Sequence, residues 1–200
     1  MRRRLRACCF ALIVSPLLGA APVGQIQAIL VRPKVLCGSF DQSKRLAGLK
    51  KPVSSSGRFC VVADKGVLWR SLRPFPSTLR LTRDEVVQMH GDRVALRIDS
   101  RREPAVGMVN SVLFALLAGD LDQLEKFFHI QGSIQDGVWS VKLEARDPVL
   151  AKSIRSISLE GGAHVKSIAV EEAGGDHTKI VFSAIETGDR AMSDDEAALF

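Results

Sequence analysis

Five short runs of alternating residues, packed between positions 35 and 90, constrain this chain more than any other feature. They are residues 35–46 (VLCGSFDQSKRL), 57–63 (GRFCVVA), 66–73 (GVLWRSLR), 77–82 (STLRLT) and 85–90 (EVVQMH). The links between them are rich in turn residues: Ser-Ser-Ser-Gly, Asp64-Lys65-Gly66, Pro74-Phe75-Pro76 and Arg83-Asp84. Short alternating strands with turns at this spacing predict a meander, and so an antiparallel sheet. Residues 92–100 (DRVALRIDS) add a sixth strand, with Val94, Leu96 and Ile98 alternating against Arg93, Ala95, Arg97 and Asp99, which predicts one buried face. A sheet with one apolar face must cover that face or close around something.

The first twenty residues read as an address. Arg2, Arg3, Arg4 and Arg6 precede an apolar run at 7–18, and Gly19-Ala20-Ala21 supplies small residues, with cleavage expected after Ala20. The run is shorter than the about 20 residues that a spanning helix needs. No cysteine stands directly after the small residues, so a lipid-modified N-terminus is not expected. Four of the 28 Lys and Arg residues lie in this signal, which leaves 24 against 22 Asp and Glu in the mature chain. Its net charge is thus small, and it gives no support for nucleic-acid binding. About 180 residues suffice for one domain with a real core.

Cys37 and Cys60 remain in an exported chain, where an even pair points to a disulfide. If the first two strands pair about Gly48-Leu49, position 37 falls opposite 60, 39 opposite 58 and 41 opposite 56. A bridge there would stabilise by about 3–4 kcal/mol. Two free buried thiols are the other reading. In the same register Phe40 shares its face with Gly57, Phe59 and Val61, and Cys37, Ser39 and Asp41 lie opposite.

The period changes after the sixth strand. Residues 105–119 (AVGMVNSVLFALLAG) carry Val109, Val112, Leu113, Leu116 and Leu117 at helical spacing, and Gly119 ends the run. Met108 and Phe114 widen its apolar surface beyond one stripe, so such a helix is buried on most sides or meets something apolar. A second helix is expected over 120–129, capped by Asp120 and carrying Leu121, Leu124, Phe127 and Phe128. Residues 25–31 form a short helix before Pro33. Strands return at 138–145, 156–160, 164–171 and 178–186, with one or two helical turns at 148–154. The acidic tail 193–200 is expected to fray or form a short helix, with Asp194, Asp195 and Glu196 on a solvated end. A strongly curved antiparallel sheet partly plugged by 105–129 fits this plan, and so does a two-layer α+β sandwich.

Catalytic constellations are missing. His90, His129, His164 and His177 have no metal-ligand spacing, and no Gly-x-Ser-x-Gly elbow houses a nucleophile. Gly161-Gly162 and Gly174-Gly175 lack the setting of a phosphate loop and read as turns. Neither enzyme activity, nor a metal, nor a cofactor is expected.

One series of residues carries a resemblance: Gly38-x-Phe40-x-Gln42-x-Lys44-x-Leu46, Pro52-Val53-x-Ser55-Ser56-Gly57-x-Phe59, Gly66-Val67-Leu68-Trp69, Pro74-Phe75-x-Ser77-x-Leu79-x-Leu81-Thr82 and Val86-x-Gln88. It resembles the LolA-like outer-membrane lipoprotein carriers, and more closely a divergent LolA-related branch. The resemblance implies a signal peptide at 1–20 and a single carrier domain at 21–200. Its fold would be an unclosed β-barrel with helices covering the concave apolar face as a lid. It implies a monomeric periplasmic carrier that takes acylated lipoprotein or glycolipid cargo from an inner-membrane transporter or exporter to an outer-membrane receptor. The cavity would be lined by Phe40, Phe59, Val67, Trp69, Leu79, Leu81, Leu96, Trp139 and Leu143. The lid would use Val109, Val112, Leu113, Leu116 and Leu117. Standard members hold the empty lid shut with an Arg before the Trp motif; here that stretch, Val62-Ala63-Asp64-Lys65-Gly66, has none. The other reading is an interaction module of the same fold with a filled core, acting through exposed Arg70, Arg73, Arg80 and Arg83.

Overall fold

A computed structural model describes residues 23–200. The expected signal peptide, residues 1–20, lies outside them. After the short helix α1 (Val23–Ile29) come six strands: β1 (Val35–Arg45), β2 (Val53–Val62), β3 (Gly66–Arg73), β4 (Ser77–Thr82), β5 (Glu85–His90) and β6 (Arg93–Asp99). Helices α2 (Pro104–Ala118) and α3 (Leu121–Glu125) follow. Then come β7 (Phe128–Gln135), β8 (Val138–Ala145), α4 (Pro148–Ala151), β9 (Ile154–Gly161), β10 (Val165–Glu172) and β11 (His177–Thr187). A 3₁₀ turn at Asp189–Ala191 and α5 (Asp194–Ala197) end the chain.

The strands form one antiparallel sheet of eleven in the order β6-β5-β4-β3-β2-β1-β11-β10-β9-β8-β7. Two meanders are thus joined where β11 returns beside β1, and no ladder joins β6 to β7, so the sheet stays unclosed. The first hairpin has the expected register: Cys37 opposes Cys60, Ser39 opposes Arg58 and Asp41 opposes Ser56. Cys37 and Cys60 are joined by a disulfide.

One strand differs from the sequence reading. The expected helix over 120–129 ends at Glu125, and Phe128 opens β7 instead. Leu121, Leu124 and Phe128 are all fully buried, so their spacing satisfies a helix and a strand in succession. Asp136 and Gly137, with φ of 52° and 76°, make the tight turn into β8.

Two glycines explain how large rings fit the sheet. Gly57 opposes Phe40 next to a bulge, and a Cβ there would meet the Arg70 carbonyl at 1.9 Å and the Phe40 ring at 3.0 Å. At Gly161 a Cβ would meet the Trp139 ring at 2.6 Å, while Trp139 Nε1 donates to the Gly162 carbonyl at 2.6 Å. The Gly161-Gly162 pair is therefore a turn and also the floor under an indole.

The two faces of the sheet are buried by different parts of the chain. On the Cys37 face, Val35, Val62, Leu68 and the disulfide pack with Ala191, Met192, Leu199 and Phe200. The tail is docked here rather than frayed. Ser193 and Glu196 form a reciprocal capping box, and Glu196 is 2% exposed, which corrects its reading as a solvated end. Arg58 Nε donates to Glu196 Oε1 at 3.0 Å, and Arg80 Nη1 donates to the Leu199 carbonyl at 2.7 Å. Glu196→Ala is expected to cost about 1–3 kcal/mol by leaving the Arg58 donors short of a partner. Urea denaturation beside the exposed control Asp195→Ala, expected within about 0.5 kcal/mol of wild type, checks this.

Candidate functional site: the apolar cluster of the Phe40 face

Residues that oppose one another in an antiparallel ladder share a face. The ladders therefore put Phe59, Trp69, Leu79, Gln88 and Leu96 in one row, and Val61, Val67, Leu81, Val86 and Ile98 in the next. Across β1 the same face continues through Phe182, Ile168, Leu159 and Val141. One contiguous cluster fills it. Phe40, Phe59, Val67, Leu81, Trp139 and Leu143 are at most 5% exposed, and Trp69 and Leu79 pack at its margin. Its centre is aromatic: the Phe40 and Trp69 rings stack at 3.8 Å, and Phe59 lies 4.8 Å from Phe182. Both tryptophans of the chain, Trp69 and Trp139, belong to this cluster.

Eight of the nine expected lining residues thus come together, and Leu96 does not. It is 45% exposed beside Val94 at 46%. β6 is an edge strand, and the cluster does not extend over it. Phe182 was not among the expected residues; its signal was the alternation Ile180-x-Phe182 in a strand already recognised. Ile157 and Leu159 belong to the cluster for the same reason, and Phe128, expected on a helix, joins it from β7.

Helices α1, α2 and α3 contribute Ile26, Val112, Ala115, Leu116, Leu121 and Leu124 to this cluster. Of the expected lid stripe, Val112 and Leu116 are buried and Leu117 is packed at the edge, but Val109 is 46% and Leu113 38% exposed. The helix is apolar on nearly every side, so its sequence does not choose a face. The small side chain of Ala115 brings the 112/115/116 side against the sheet, and Gly119, left-handed at φ 66°, ends the helix against Leu30 and Val165. Among the described residues, a single side-chain hydrogen bond ties α2 to the sheet. The amide of Asn110, 6% exposed, donates to the Thr82 carbonyl at the end of β4.

The cluster itself is built of apolar side chains. On the opposite face Cys37, Cys60 and Glu196 lie close enough to hold a metal ion, but the two sulfurs are bonded to each other and offer no thiolate. The expected exposed arginine group is also partly spent. Arg80 is held by Glu85 and the Leu199 carbonyl, and Arg70 lies 3.8 Å from Glu196. Among the described residues no helix is long and apolar enough to cross a membrane.

The site is thus an apolar face of an unclosed antiparallel sheet, joined there by helices. Residues 18–199 match the family described as outer membrane lipoprotein carrier protein LolA-like, and the chain belongs to that family. The family is one of periplasmic, non-enzymatic carriers and carrier-like proteins whose partners are lipids and proteins. No match was found among curated protein sequences. Among solved structures, a LolA superfamily protein from Nitrosomonas europaea is similar at 9% identity and a TM-score of 0.45, over 86% of this chain and 93% of that one. A DUF1329 family protein from Desulfovibrio piger is similar at 12% identity and a TM-score of 0.48, over 88% and 95%. The Pseudomonas aeruginosa MucA/MucB complex is similar at 15% identity and a TM-score of 0.45, over 82% and 57%.

Proposed function

We propose that this protein is a periplasmic carrier, exported by its N-terminal signal, that shields the acyl chains of a lipoprotein or other lipidated cargo within the Phe40-face cluster. It takes that cargo from an inner-membrane transporter or exporter and passes it to an outer-membrane receptor. No covalent step is involved. The observation that carries this reading is α2: a helix apolar on nearly all sides, which puts Val112, Ala115 and Leu116 into the apolar cluster yet is tied to the sheet by one polar bond among the described residues. Apart from that bond, apolar contact holds the helix in the closed position, and an acyl chain supplies the same contact.

The energetics are those of differential burial. Each CH₂ withdrawn from water is worth about 0.8 kcal/mol, so acyl chains do not cross an aqueous gap unaided at useful rates. A cavity that bound them with the whole of that energy would not release them. A helix that refills the face in the empty state competes with cargo and lowers the net affinity.

A second reading is favoured by the stacking of Phe40, Trp69, Phe59 and Phe182, which fills the centre of the face. Here the fold is a periplasmic interaction module with a permanent core that works beside an inner-membrane exporter through its surface. Native mass spectrometry of the mature protein from a bacterial periplasm, with lipid extraction and titration of a fluorescent acyl probe, separates the two. The expected result is a co-purifying acylated species and a saturable shift in tryptophan fluorescence, since Trp69 and Trp139 both report on the cluster. A bare protein that also rejects the probe would leave the interaction module standing.

A further inference from the structure

The Asn110–Thr82 bond stands in the wall of a cavity. It measures about 290 Å³, at the low end of the range of about 300–1,000 Å³ typical of ligand pockets. It opens where α2 and the start of α3 meet the β2–β3 and β4–β5 turns. Unlike the apolar cluster, it mixes polar and apolar surface. Lys65 and Arg83 line it against Asp64 and Asp120, so its ionic groups balance. Asp120 is further engaged, with Arg32 at 3.5 Å and the Gln123 backbone N–H at 3.2 Å. Ser111 and Gln123 add uncharged donors and acceptors, and Phe114 adds one apolar wall.

We infer that this cavity is a subsite for a neutral, polyhydroxylated head group on the carried lipid, and that Asn110 couples its occupancy to release of α2. The inference rests on the carrier reading and names the cargo class for it. Three observations select a polyol over an anion. The lining carries no surplus positive charge. It offers donors and acceptors together, with an aromatic ring, as sugar hydroxyls and ring faces require. The third concerns the latch itself. The Asn110 amide and the Thr82 carbonyl satisfy each other in the closed state. A hydroxyl entering between them accepts from the amide and donates to the carbonyl, so both groups keep a partner while the helix separates from β4. A phosphate or carboxylate oxygen only accepts, and would leave the Thr82 carbonyl unpaired. Among the described residues Asn110 makes no other side-chain hydrogen bond, so this one exchange frees the helix of its polar tie to the sheet.

The test compares dodecyl glucoside, dodecanol and dodecyl phosphate, which share one chain, on the mature protein below micelle-forming concentrations. Binding is read by tryptophan fluorescence and α2 opening by amide hydrogen exchange. The glucoside is expected to bind about tenfold tighter than either of the others, the yield of two or three net hydrogen bonds, and to speed exchange over α2 at correspondingly lower concentration. Asn110→Leu and, at the rim, Gln123→Ala should each shrink the glucoside advantage. Gln123 is half-buried on a short surface helix, so that variant keeps the test valid if Asn110→Leu fails to fold. Equal binding of glucoside and dodecanol, tighter binding of the phosphate, or an advantage that survives both substitutions overturns the subsite and leaves the carrier reading intact. Failure of all three probes to bind overturns the carrier reading and the subsite with it.

Discussion

Replacing Cys37 and Cys60 together by alanine is expected to lower the unfolding free energy by about 3–4 kcal/mol. The bond closes a chain segment with a sequence separation of 23 and links β1 to β2. Its position adds to the effect. β1 is the strand at which the two meanders meet, so loosening it weakens both halves of the sheet. Both sulfurs are at most 1% exposed beneath the C-terminal segment, so their loss also thins the smaller apolar cluster that seats Ala191, Leu199 and Phe200. Urea denaturation of the paired variant, beside wild type with and without reductant, measures this. Wild type in reductant should approach the variant, and hydrogen exchange should rise over residues 189–200. Acyl-probe binding should change little, because the bridge faces away from the Phe40 cluster. A wild-type protein whose stability ignores reductant would show that the bridge does not form.

Leu116→Ala is expected to weaken the closed protein yet tighten its hold on cargo. Leu116 is 4% exposed and packs α2 into the apolar cluster, so truncating it should cost the closed state about 2–5 kcal/mol. If α2 leaves the sheet when an acyl chain enters, most of that cost is absent from the loaded state. The closed state then competes less, and affinity for an acyl probe should rise about tenfold or more. Leu159→Ala is the control. Leu159 is fully buried in the same cluster but sits on β9, in the sheet itself. Its truncation should destabilise by a similar amount with no gain in affinity. A permanent core makes the opposite forecast, in which both variants lose stability and neither binds a probe. The pair thus tests whether α2 moves, independently of which lipid is carried.

Much of the sheet was legible from local chemistry. Period-two alternation and turn residues placed β3, β4, β5 and β8 at their observed bounds. The Cys37/Cys60 spacing about Gly48-Leu49 carried the register of the first hairpin. β7 was also written in the sequence, as Asp136-Gly137 between two alternating runs, but Leu121, Leu124 and Phe128 fit a helical stripe equally well. A three-residue spacing alone does not distinguish a continuing helix from a helix followed by a buried strand. The candidate lining was legible for the same reason as the sheet: once a register is known, one buried aromatic fixes the face of its neighbours. Leu96 failed because alternation reports which residues share a face and says nothing about whether another element reaches that face at an edge.

The amino-acid sequence by itself determined most of the strands, the pairing of the first hairpin and the Asp120 and Gly119 ends of the helices, because each depends on residues near one another in the chain. Only the tertiary structure decided which side of α2 meets the sheet, since a helix apolar all round has no preferred face until Ala115 and Gly119 find a surface to fit. It alone decided that Asn110 spends its amide on a carbonyl 28 positions away, and that Glu196 is buried against Arg58 across a separation of 138. A buried polar group is defined by its partner, and a partner that distant is supplied by the fold and not by the neighbouring sequence.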